Sequence, residues 1–379
     1  MKTDKTHNLL LTDASYLQVL GQIHEGVMIL DVNRTIVFCN SMALQIMGLL
    51  EKDIINTKCY ENSLFSIYDK YGRELCNEEN CPLLNAMYGK KTFTHSNYVF
   101  IKNKHGKKAA ITLSYSPLRD ANESVIGVSC VFQNIGNYYQ QKLLVGGIQQ
   151  KMIAESPLTY GNISIDTLYN PVDDTSGDFI DCVYSDNSNI YAAIADATGH
   201  GISAAIFTIA FKALFYAALQ SYSKPEHILQ QINKELCETG AIEGNFLSAA
   251  VLHIKAHTGK GSIAAAGHPP GLIFNKTDNG AKLTHKIGKP SFLLGIEKES
   301  TYQACSFSLK KGEFLFIYTD GIAEAEESDG ILFGEEGIIS FMENYQGDNP
   351  LSALLDKVQL HSKYPELLDD VSMMLFTRI

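Results

Sequence analysis

Aspartates stand beside apolar, strand-like runs at four places in the C-terminal half of the sequence. Asp178 opens one such run, Asp196 and Asp320 each follow one, and the pair Asp369-Asp370 comes shortly before another. Carboxylates that meet at strand ends offer the oxygen ligands that Mg²⁺ and Mn²⁺ prefer. Two such ions, held about 3.5–4 Å apart, can activate a water molecule and clamp a phosphoryl group. The pattern therefore predicts a metal-dependent phosphatase with these aspartates at its centre.

Each motif taken alone also has an ordinary structural explanation. Gly177-Asp178 is a common turn dipeptide, and one acidic residue at a strand end is often only surface charge. The segment after Asp196 is more informative, because Gly199 and Gly201 let the backbone approach a ligand closely, so that a main-chain carbonyl could join the ligands. Four acidic strand ends in one domain are hard to explain as surface charge, so the joint pattern favours a metal site.

Composition and charge limit the class of protein. The 379 residues are 45% apolar and 19% charged, which is typical of a folded chain with room for two domains. A net charge of −11 argues against a nucleic-acid partner, because phosphate backbones are bound by basic surfaces. No uninterrupted apolar run reaches the ~18 residues that span a bilayer, and the segment 204–219 is predicted to be a buried helix. We therefore expect no membrane association.

The N-terminus and the cysteines favour the cytoplasm. Residues 1–13 lack the apolar region and the small-residue cleavage site of a signal peptide. The eight cysteines are scattered without the spacing of a disulfide framework. Cys59, Cys76 and Cys81 form a loose cluster, for which reduced and partly buried thiols are favoured over a metal site.

The first part of the sequence alternates short strands with short helices. A helix is predicted over 41–47, where Gly48 ends it. The predicted strands are 26–31, 35–40, 96–101, 108–115 and 125–133. This pattern, with "GVMILDVNRTIVFCNSMALQIMG" near its start and "VIGVSCVFQNIG" at its end, resembles a PAS sensor domain over residues 16–135. The resemblance implies a sensor, and the residues do not identify its ligand.

A helical linker is predicted over residues 136–156. Apolar residues recur at intervals of three and four from Tyr139 to Met152, and the pair Gly146-Gly147 is interpreted as a flexible point. Such a helix could pair with its twin in a homodimer, or it could pack on its own domain. We favour the homodimer.

Residues 157–379 are predicted to form an α+β domain, because strands outnumber helices and hairpins outnumber crossovers. From about residue 147 the sequence is similar to the bacterial PPM-type (PP2C-like) serine/threonine phosphatases of the SpoIIE and RsbU kind. The matching stretches include "SGDFIDCVY", "AAIADATGHGISAAIF", "AAAGHPPGLIF", "LKKGEFLFIYTDGIAEAEE" and "DDVSMMLF", in the order of that family. The resemblance implies an αββα sandwich with two Mn²⁺ or Mg²⁺ ions between the sheets at one edge.

The same resemblance implies the roles of single residues. The implied catalytic metal ligands are Asp178, Asp196, Asp320 and Asp369, joined by the Ala197 carbonyl and with Asp370 as an alternative ligand or an outer hydrogen-bonding partner. The implied reaction is in-line attack of an ion-activated water on phosphorus, without a phosphoenzyme. The proton donor stays open, since Thr198 stands where eukaryotic relatives place a histidine, and both His200 and His268 also have structural explanations.

The function implied is a signal-regulated protein phosphatase in which the PAS domain acts through the helix on the catalytic domain. Its substrate would be a phosphoserine or phosphothreonine protein, and the family points to a STAS-type anti-sigma-factor antagonist in a stress-response pathway of partner switching. The alternative is a catalytically inactive module that uses the phosphatase fold only to bind a partner. Retention of every acidic position argues against that alternative, and metal titration would discriminate the two.

Overall fold

The computed structural model describes residues 14–60, 65–76, 81–89, 92–94, 98–103, 105–153, 156–185, 188–238, 244–326, 330–364 and 367–379. Residues 1–13, on which the prediction of no signal peptide rests, lie outside the described residues, as does the start of the predicted strand 96–101. The chain divides into two compact units, residues 1–140 and 141–379. The finer domain bounds 16–135, 136–156 and 157–379 stay predictions.

The first unit is an antiparallel sheet with short helices beside it. Its strands are β1 (Gly26–Asp31), β2 (Ile36–Cys39), β3 (Phe65–Tyr68), β4 (Phe93–Thr94), β5 (Val99–Asn103), β6 (Lys108–Arg119) and β7 (Val125–Asn134). Its helices are α1 (Ala14–Gln22), α2 (Ser41–Met47), α3 (Glu51–Ile54) and α4 (Pro82–Gly89). The strand order is β2-β1-β7-β6-β5-β3, and β4 pairs with β6. The predicted hairpin of the first two strands is confirmed.

Local hydrogen bonding explains why the chain turns from the first hairpin into α2. The Asn40 side-chain oxygen accepts hydrogen bonds from the backbone amides of Ala43, at the helix start, and of Val27, on β1. A capping side chain of this kind satisfies an amide that the first helical turn leaves unpaired. Gly48 ends the helix in the left-handed conformation, with φ 65°, which glycine adopts without steric cost. The predicted helix 41–47 is confirmed.

The core of the first unit contains most of the cysteines. Cys39, Cys81 and Cys130 are buried in it, and Cys59 and Cys76 pack against it. All eight cysteines of the chain lie in the described residues and are free thiols. The predicted partial burial of Cys59 and Cys76 is confirmed, whereas the reduced state of these thiols stays a prediction.

The second unit is built from two stacked antiparallel sheets. Its strands are β8 (Leu158–Tyr160), β9 (Ile163–Asn170), β10 (Asp178–Ser185), β11 (Asn189–Ala197), β12 (Leu247–Lys255), β13 (Lys260–Ala266), β14 (Gly271–Thr277), β15 (Gly280–Ile287), β16 (Cys305–Ser308), β17 (Glu313–Tyr318) and β18 (Val371–Arg378). One sheet has the order β10-β11-β12-β13-β16, and the other has the order β15-β14-β17-β18-β9-β8.

Helices cover the outer faces of both sheets. Helix α5 (Gly136–Gln150) begins before the division between the units at residue 140, and the covering helices are α6 (Ile202–Leu219), α7 (Pro225–Glu238), α8 (Gly334–Asn344) and α9 (Pro350–His361). Helices α6 and α7 share a core with the five-stranded sheet, and α8 and α9 share one with the six-stranded sheet. A third core fills the space between the sheets. The predicted αββα sandwich is confirmed.

Strand β11 shows why the site motifs follow continuous apolar runs. Ile190, Ala192 and Ile194 face the core between the sheets, whereas Tyr191 and Ala193 face the helices. A strand that is covered on both faces is apolar at every position rather than at alternate ones. The run therefore ends where the strand leaves the sandwich, which is where Asp196 stands.

Helix α6 is the described helix that is long and apolar enough to span a membrane by length and composition. In the fold it lies on the five-stranded sheet, where Phe207, Phe211 and Phe215 are buried along one side. The predicted helix over 204–219 is confirmed, but it is buried along one side only, since Ile206 and Tyr216 are exposed.

Helix α5 buries different residues from those that its apolar pattern predicts. Lys142, Gly146 and Gln149 face its own unit, whereas Leu144 and Ile148 are exposed. Gln149 explains this orientation, because its side-chain amide donates to the Ser176 carbonyl at 2.8 Å and its side-chain oxygen accepts from the Ser176 amide at 3.1 Å. A polar contact thus determines which face packs.

Candidate metal and catalytic site

The first two aspartates meet across adjacent strands of the five-stranded sheet. Asp178, the first residue of β10, lies directly opposite Asp196, near the end of β11. Side chains opposed in this way have Cβ atoms about 4.5–5.5 Å apart. Gly177 permits the close pairing that follows, because a Cβ at this position would lie 2.9 Å from the Ala197 carbonyl oxygen. The Ala197 carbonyl therefore lies beside the two carboxylates.

Thr319 joins this carboxylate pair to the second sheet. It is fully buried at the end of β17, and its hydroxyl donates to an Asp178 carboxylate oxygen at 2.8 Å. The same hydroxyl accepts from the Ser372 amide on β18 at 2.9 Å. Asp320 is the next residue, so this bond brings the motif after β17 to the edge that carries Asp178.

The adjacent aspartates before β18 differ in their hydrogen bonds. Both side-chain oxygens of Asp370 accept backbone amides, from Val172 at 2.7 Å and from Gly177 at 2.8 Å. The Asp369 carboxylate accepts only the amide of its neighbour Asp370, at 2.8 Å, among the hydrogen bonds of the described residues. Asp370 thus holds the loop that leads into Asp178.

Gly321 allows the motif after β17, which contains Asp320, to contact the motif before β18, which contains Asp369 and Asp370. A Cβ at Gly321 would lie 2.1 Å from the Asp370 carbonyl oxygen, so no larger residue fits without moving the backbone. The glycine after Asp320 is therefore required by close packing against Asp369 and Asp370.

The acidic edge is the name we give to the six carboxylates that gather here. They are Asp178, Asp196, Asp320, Glu324, Asp369 and Asp370. Burial, followed by the charges of Asp196 and Asp370, raises the pKa of Asp178 well above its ordinary value. Burial and neighbouring carboxylates raise the pKa of Asp196 to about 8. Both shifts mean that the charged form is disfavoured when the site has only carboxylates in it.

The pKa values of Asp369, Asp320 and Glu324 are raised as well. Burial is the main cause that raises the pKa of Asp369 to about 6. Burial also raises the pKa of Asp320, and burial together with the charge of Asp320 raises that of Glu324. Glu324 was missed by the sequence reasoning. It lies four residues after Asp320 in "DGIAE", a spacing of one helical turn that could have indicated it.

The donor chemistry of the acidic edge fits a hard divalent cation. All of its side-chain donors are carboxylate oxygens, and the Ala197 carbonyl adds one from the backbone. Within the described part of the chain, no three acidic, histidine or cysteine side chains already converge in the arrangement of a complete ligand set. Like charges repel one another, and a cation would offset the repulsion that the raised pKa values express.

The surroundings of His268, His200 and Thr198 do not identify a proton donor among them. His268 is buried with its Nδ1 atom 2.9 Å from the Ser248 hydroxyl, and burial lowers its pKa to about 3, so it is neutral at pH 7. His200 is exposed in the turn after β11. The Thr198 hydroxyl donates to the Phe246 carbonyl and accepts its amide, which ties this side chain to the turn. These contacts favour structural roles.

Comparisons with known proteins agree with this architecture. Residues 14–135 match the PAS fold, and residues 186–379 match the family described as Stage II sporulation protein E (SpoIIE). The PP2C domain of SiaA from Pseudomonas aeruginosa superposes with a TM-score of 0.53 at 15% identity, over 64% of this chain and 96% of that domain. That likeness shows the fold alone.

Two curated relatives from Bacillus subtilis (strain 168) are similar in sequence. The phosphoserine phosphatase RsbU is 26% identical over 216 residues, which is 52% of this chain and 62% of the relative. The phosphoserine phosphatase RsbP is 26% identical over 185 residues, which is 48% of this chain and 44% of the relative. The match thus spans only part of each relative. Because the SpoIIE match covers just over half of the chain, the chain belongs to the SpoIIE family, with a PAS domain in front of its PP2C-like fold.

Proposed function

We propose that this chain is a signal-regulated, metal-dependent protein serine/threonine phosphatase. The observation that carries the proposal is the acidic edge, where both sheets contribute carboxylates whose pKa values are raised by burial and by one another. Burying several like charges together is costly unless something positive offsets it. Divalent cations fit that need and suit phosphoryl chemistry.

Within this proposal the carboxylates divide into ligands and a positioning group. Asp178, Asp196, Asp320 and Asp369 would hold two Mn²⁺ or Mg²⁺ ions, and the Ala197 carbonyl would join them. Asp370 would act mainly by hydrogen bonding, because both of its oxygens already accept backbone amides. The chemistry that such ions supply when bound is activation of water for in-line attack on phosphorus and stabilisation of the phosphoryl charge.

The chain's own residues would orient and balance this site. The Thr319 hydroxyl donates to one oxygen of Asp178 and would fix the orientation of this carboxylate toward the ions. The Gly177 amide fixes Asp370 and keeps Asp178 opposite Asp196. Glu324 would add negative charge beside Asp320, since burial and the charge of Asp320 raise its pKa.

The proposed substrate is a phosphoserine or phosphothreonine protein, namely a STAS-type anti-sigma-factor antagonist in a partner-switching pathway. The names of RsbU and RsbP as phosphoserine phosphatases support this class of substrate. We propose a cytoplasmic location and input from the PAS domain, whose signal is not identified by its residues. The exposed Leu144 and Ile148 on α5 support a homodimer formed through this helix.

A phosphatase assay tests the proposal and separates it from a catalytically inactive partner-binding module. The full chain should hydrolyse p-nitrophenyl phosphate and a serine-phosphorylated STAS-domain protein when Mn²⁺ is added, and EDTA should stop both reactions. The Asp320→Asn variant should be inactive while it keeps its fold by circular dichroism. Absence of Mn²⁺-dependent hydrolysis of either substrate by the parent chain would support the inactive module.

A further inference from the structure

The loop between β15 and β16 exposes two large apolar side chains on a single short segment. Phe292 is 62% exposed and Ile296 is 54% exposed, whereas Leu294 between them is fully buried. Phe292 also forms part of the wall of a surface cleft of about 490 Å³. We name residues 289–298 the docking loop.

Hydrogen bonds to the body of the unit hold the docking loop in place. The Ser291 hydroxyl donates to the Ala265 carbonyl, and Leu294 exchanges backbone hydrogen bonds with Leu247. The buried Asn233 side chain accepts the Gly295 amide at 2.9 Å and donates to the Glu297 carbonyl at 2.8 Å. The exposed apolar side chains therefore stand on a fixed scaffold.

The docking loop lies beside the acidic edge. Leu247, its backbone partner, is the first residue of β12 and lies opposite Ala197 on β11. Neighbouring strands are about 4.8 Å apart, so Leu294 is about 10 Å from Ala197, two strand spacings away. Phe292 and Ile296 flank Leu294 by two residues on either side. The backbone of the docking loop therefore lies about two strand spacings from the end of the acidic edge that carries Ala197.

We propose that the docking loop binds the surface of the phosphoprotein substrate beside its phosphoserine, with Phe292 and Ile296 as apolar anchors. This inference rests on the proposed phosphatase function. An exposed aromatic on a fixed scaffold is typical of residues that dominate protein–protein binding, because little conformational entropy is lost on association. A small phosphate ester at the acidic edge does not extend across the two strand spacings, so the anchors distinguish protein substrates from small ones.

The test compares two substrates in the full chain with Mn²⁺. The Phe292→Ala/Ile296→Ala variant should lose at least about tenfold in kcat/KM, mainly through KM, on a serine-phosphorylated STAS-domain protein. Its hydrolysis of p-nitrophenyl phosphate should stay within about twofold of the parent, because the acidic edge is untouched. Leu360→Ala, which removes an 84% exposed side chain on α9, is the matched control and should change neither reaction.

A binding measurement keeps the two proposals separable. Fluorescence anisotropy in EDTA, where no turnover occurs, should show the labelled phosphoprotein binding the parent chain and Leu360→Ala at least about tenfold more tightly than the double variant. Equal affinity for all three chains would overturn the docking surface, even if the parent proves to be a phosphatase. Equal losses on both substrates would also overturn it, because they would indicate a structural role for the loop.

Discussion

The acidic edge of the second unit and the thiol-lined core of the first both bury titratable side chains, but under different electrostatic conditions. Cys59, Cys76 and Tyr115 help to line a small cavity of about 30 Å³. Burial is the main cause that raises the pKa of Cys59 to about 12 and that of Cys76 to about 11. These thiols are therefore neutral at pH 7, and packing alone accounts for them.

The acidic edge cannot be explained by packing alone. The pKa of Asp196 is raised to about 8 by burial and by four neighbouring carboxylates, so charged and neutral forms compete near neutral pH. Neutral groups in a core need no counter-charge, whereas gathered carboxylates need protons or a cation. This difference supports the proposal that the acidic edge, rather than the thiol-lined core, binds a cation.

The largest expected effect comes from neutralising one member of the acidic edge. Asp196→Asn should lower Mn²⁺-dependent hydrolysis of p-nitrophenyl phosphate by at least about a hundredfold, because it removes charge from the proposed two-ion site. In EDTA the same variant should melt a few degrees higher than the parent, since like-charge repulsion is relieved. Retention of near-parent turnover would contradict the assignment of Asp196 as a ligand.

The pH dependence of stability should separate the acidic edge from an ordinary ion-paired surface. The pKa of Asp196 is raised to about 8 in the folded chain from an ordinary value of 3.8, so the folded state binds more protons between these values. In EDTA the free energy of unfolding should therefore fall as the pH rises from about 4 to about 8. Saturating Mn²⁺ should flatten this fall.

Urea denaturation followed by circular dichroism measures that dependence across the pH range. Asp196→Asn is the control, because its fall in EDTA should be shallower than that of the parent. A parent chain whose stability in EDTA increases steadily from pH 4 to pH 8 would contradict the raised pKa.

The paired glycines of α5 give a smaller effect with an internal control. A Cβ at Gly146 would lie 1.8 Å from the Asp174 carbonyl oxygen, whereas a Cβ at Gly147 meets nothing within 4 Å. Gly146→Ala should displace the loop before Asp178 and lower turnover several-fold. Gly147→Ala should leave turnover unchanged and stabilise the chain by about 0.5–1 kcal/mol, because alanine favours a helix interior.

Steady-state kinetics and thermal melts of the two glycine variants decide this point. Equal behaviour of both would mean that the contact between Gly146 and Asp174 does not matter to the site. The pair is thus better tested one residue at a time than as a flexible unit, since the structure gives the two glycines different surroundings.

The smallest expected effect is that of thiol modification in the first unit. Because the pKa of Cys59 and Cys76 is raised, their thiolate fraction at pH 7.5 is small and iodoacetamide should react slowly. Brief alkylation should leave hydrolysis within about twofold of the untreated chain, whereas EDTA should abolish it. Rapid loss of activity on alkylation, matched to labelling of either cysteine by mass spectrometry, would contradict the inert core.

Much of the fold could be predicted from the sequence because the second unit buries strands on both faces. Continuous apolar runs such as 190–195 are long enough to identify these strands, and the aspartates mark where the strands end. Those two signals predict largely antiparallel sheets and the gathering of Asp178 and Asp196, whereas the αββα sandwich is what the family resemblance implies. The antiparallel pairing of β10 and β11 then places the two residues directly opposite each other.

Contacts that depend on tertiary packing could not be predicted in this way. The Thr319–Asp178 hydrogen bond joins residues on different sheets, and no local pattern indicates it. Helix α5 was predicted from apolar periodicity, but Gln149 and its bonds to Ser176 determine the buried face. Periodicity measures where apolar side chains lie, so it misses a face that packs through hydrogen bonds.

Isothermal titration of Mn²⁺ into the full chain at pH 7.5 tests the central claim most directly. The acidic edge should bind about two ions per chain with release of protons, because Asp196 is partly protonated at this pH, and Asp196→Asn should bind more weakly and release fewer protons. No saturable binding by the parent, or an identical isotherm for Asp196→Asn, would contradict the assignment of the acidic edge as a metal site.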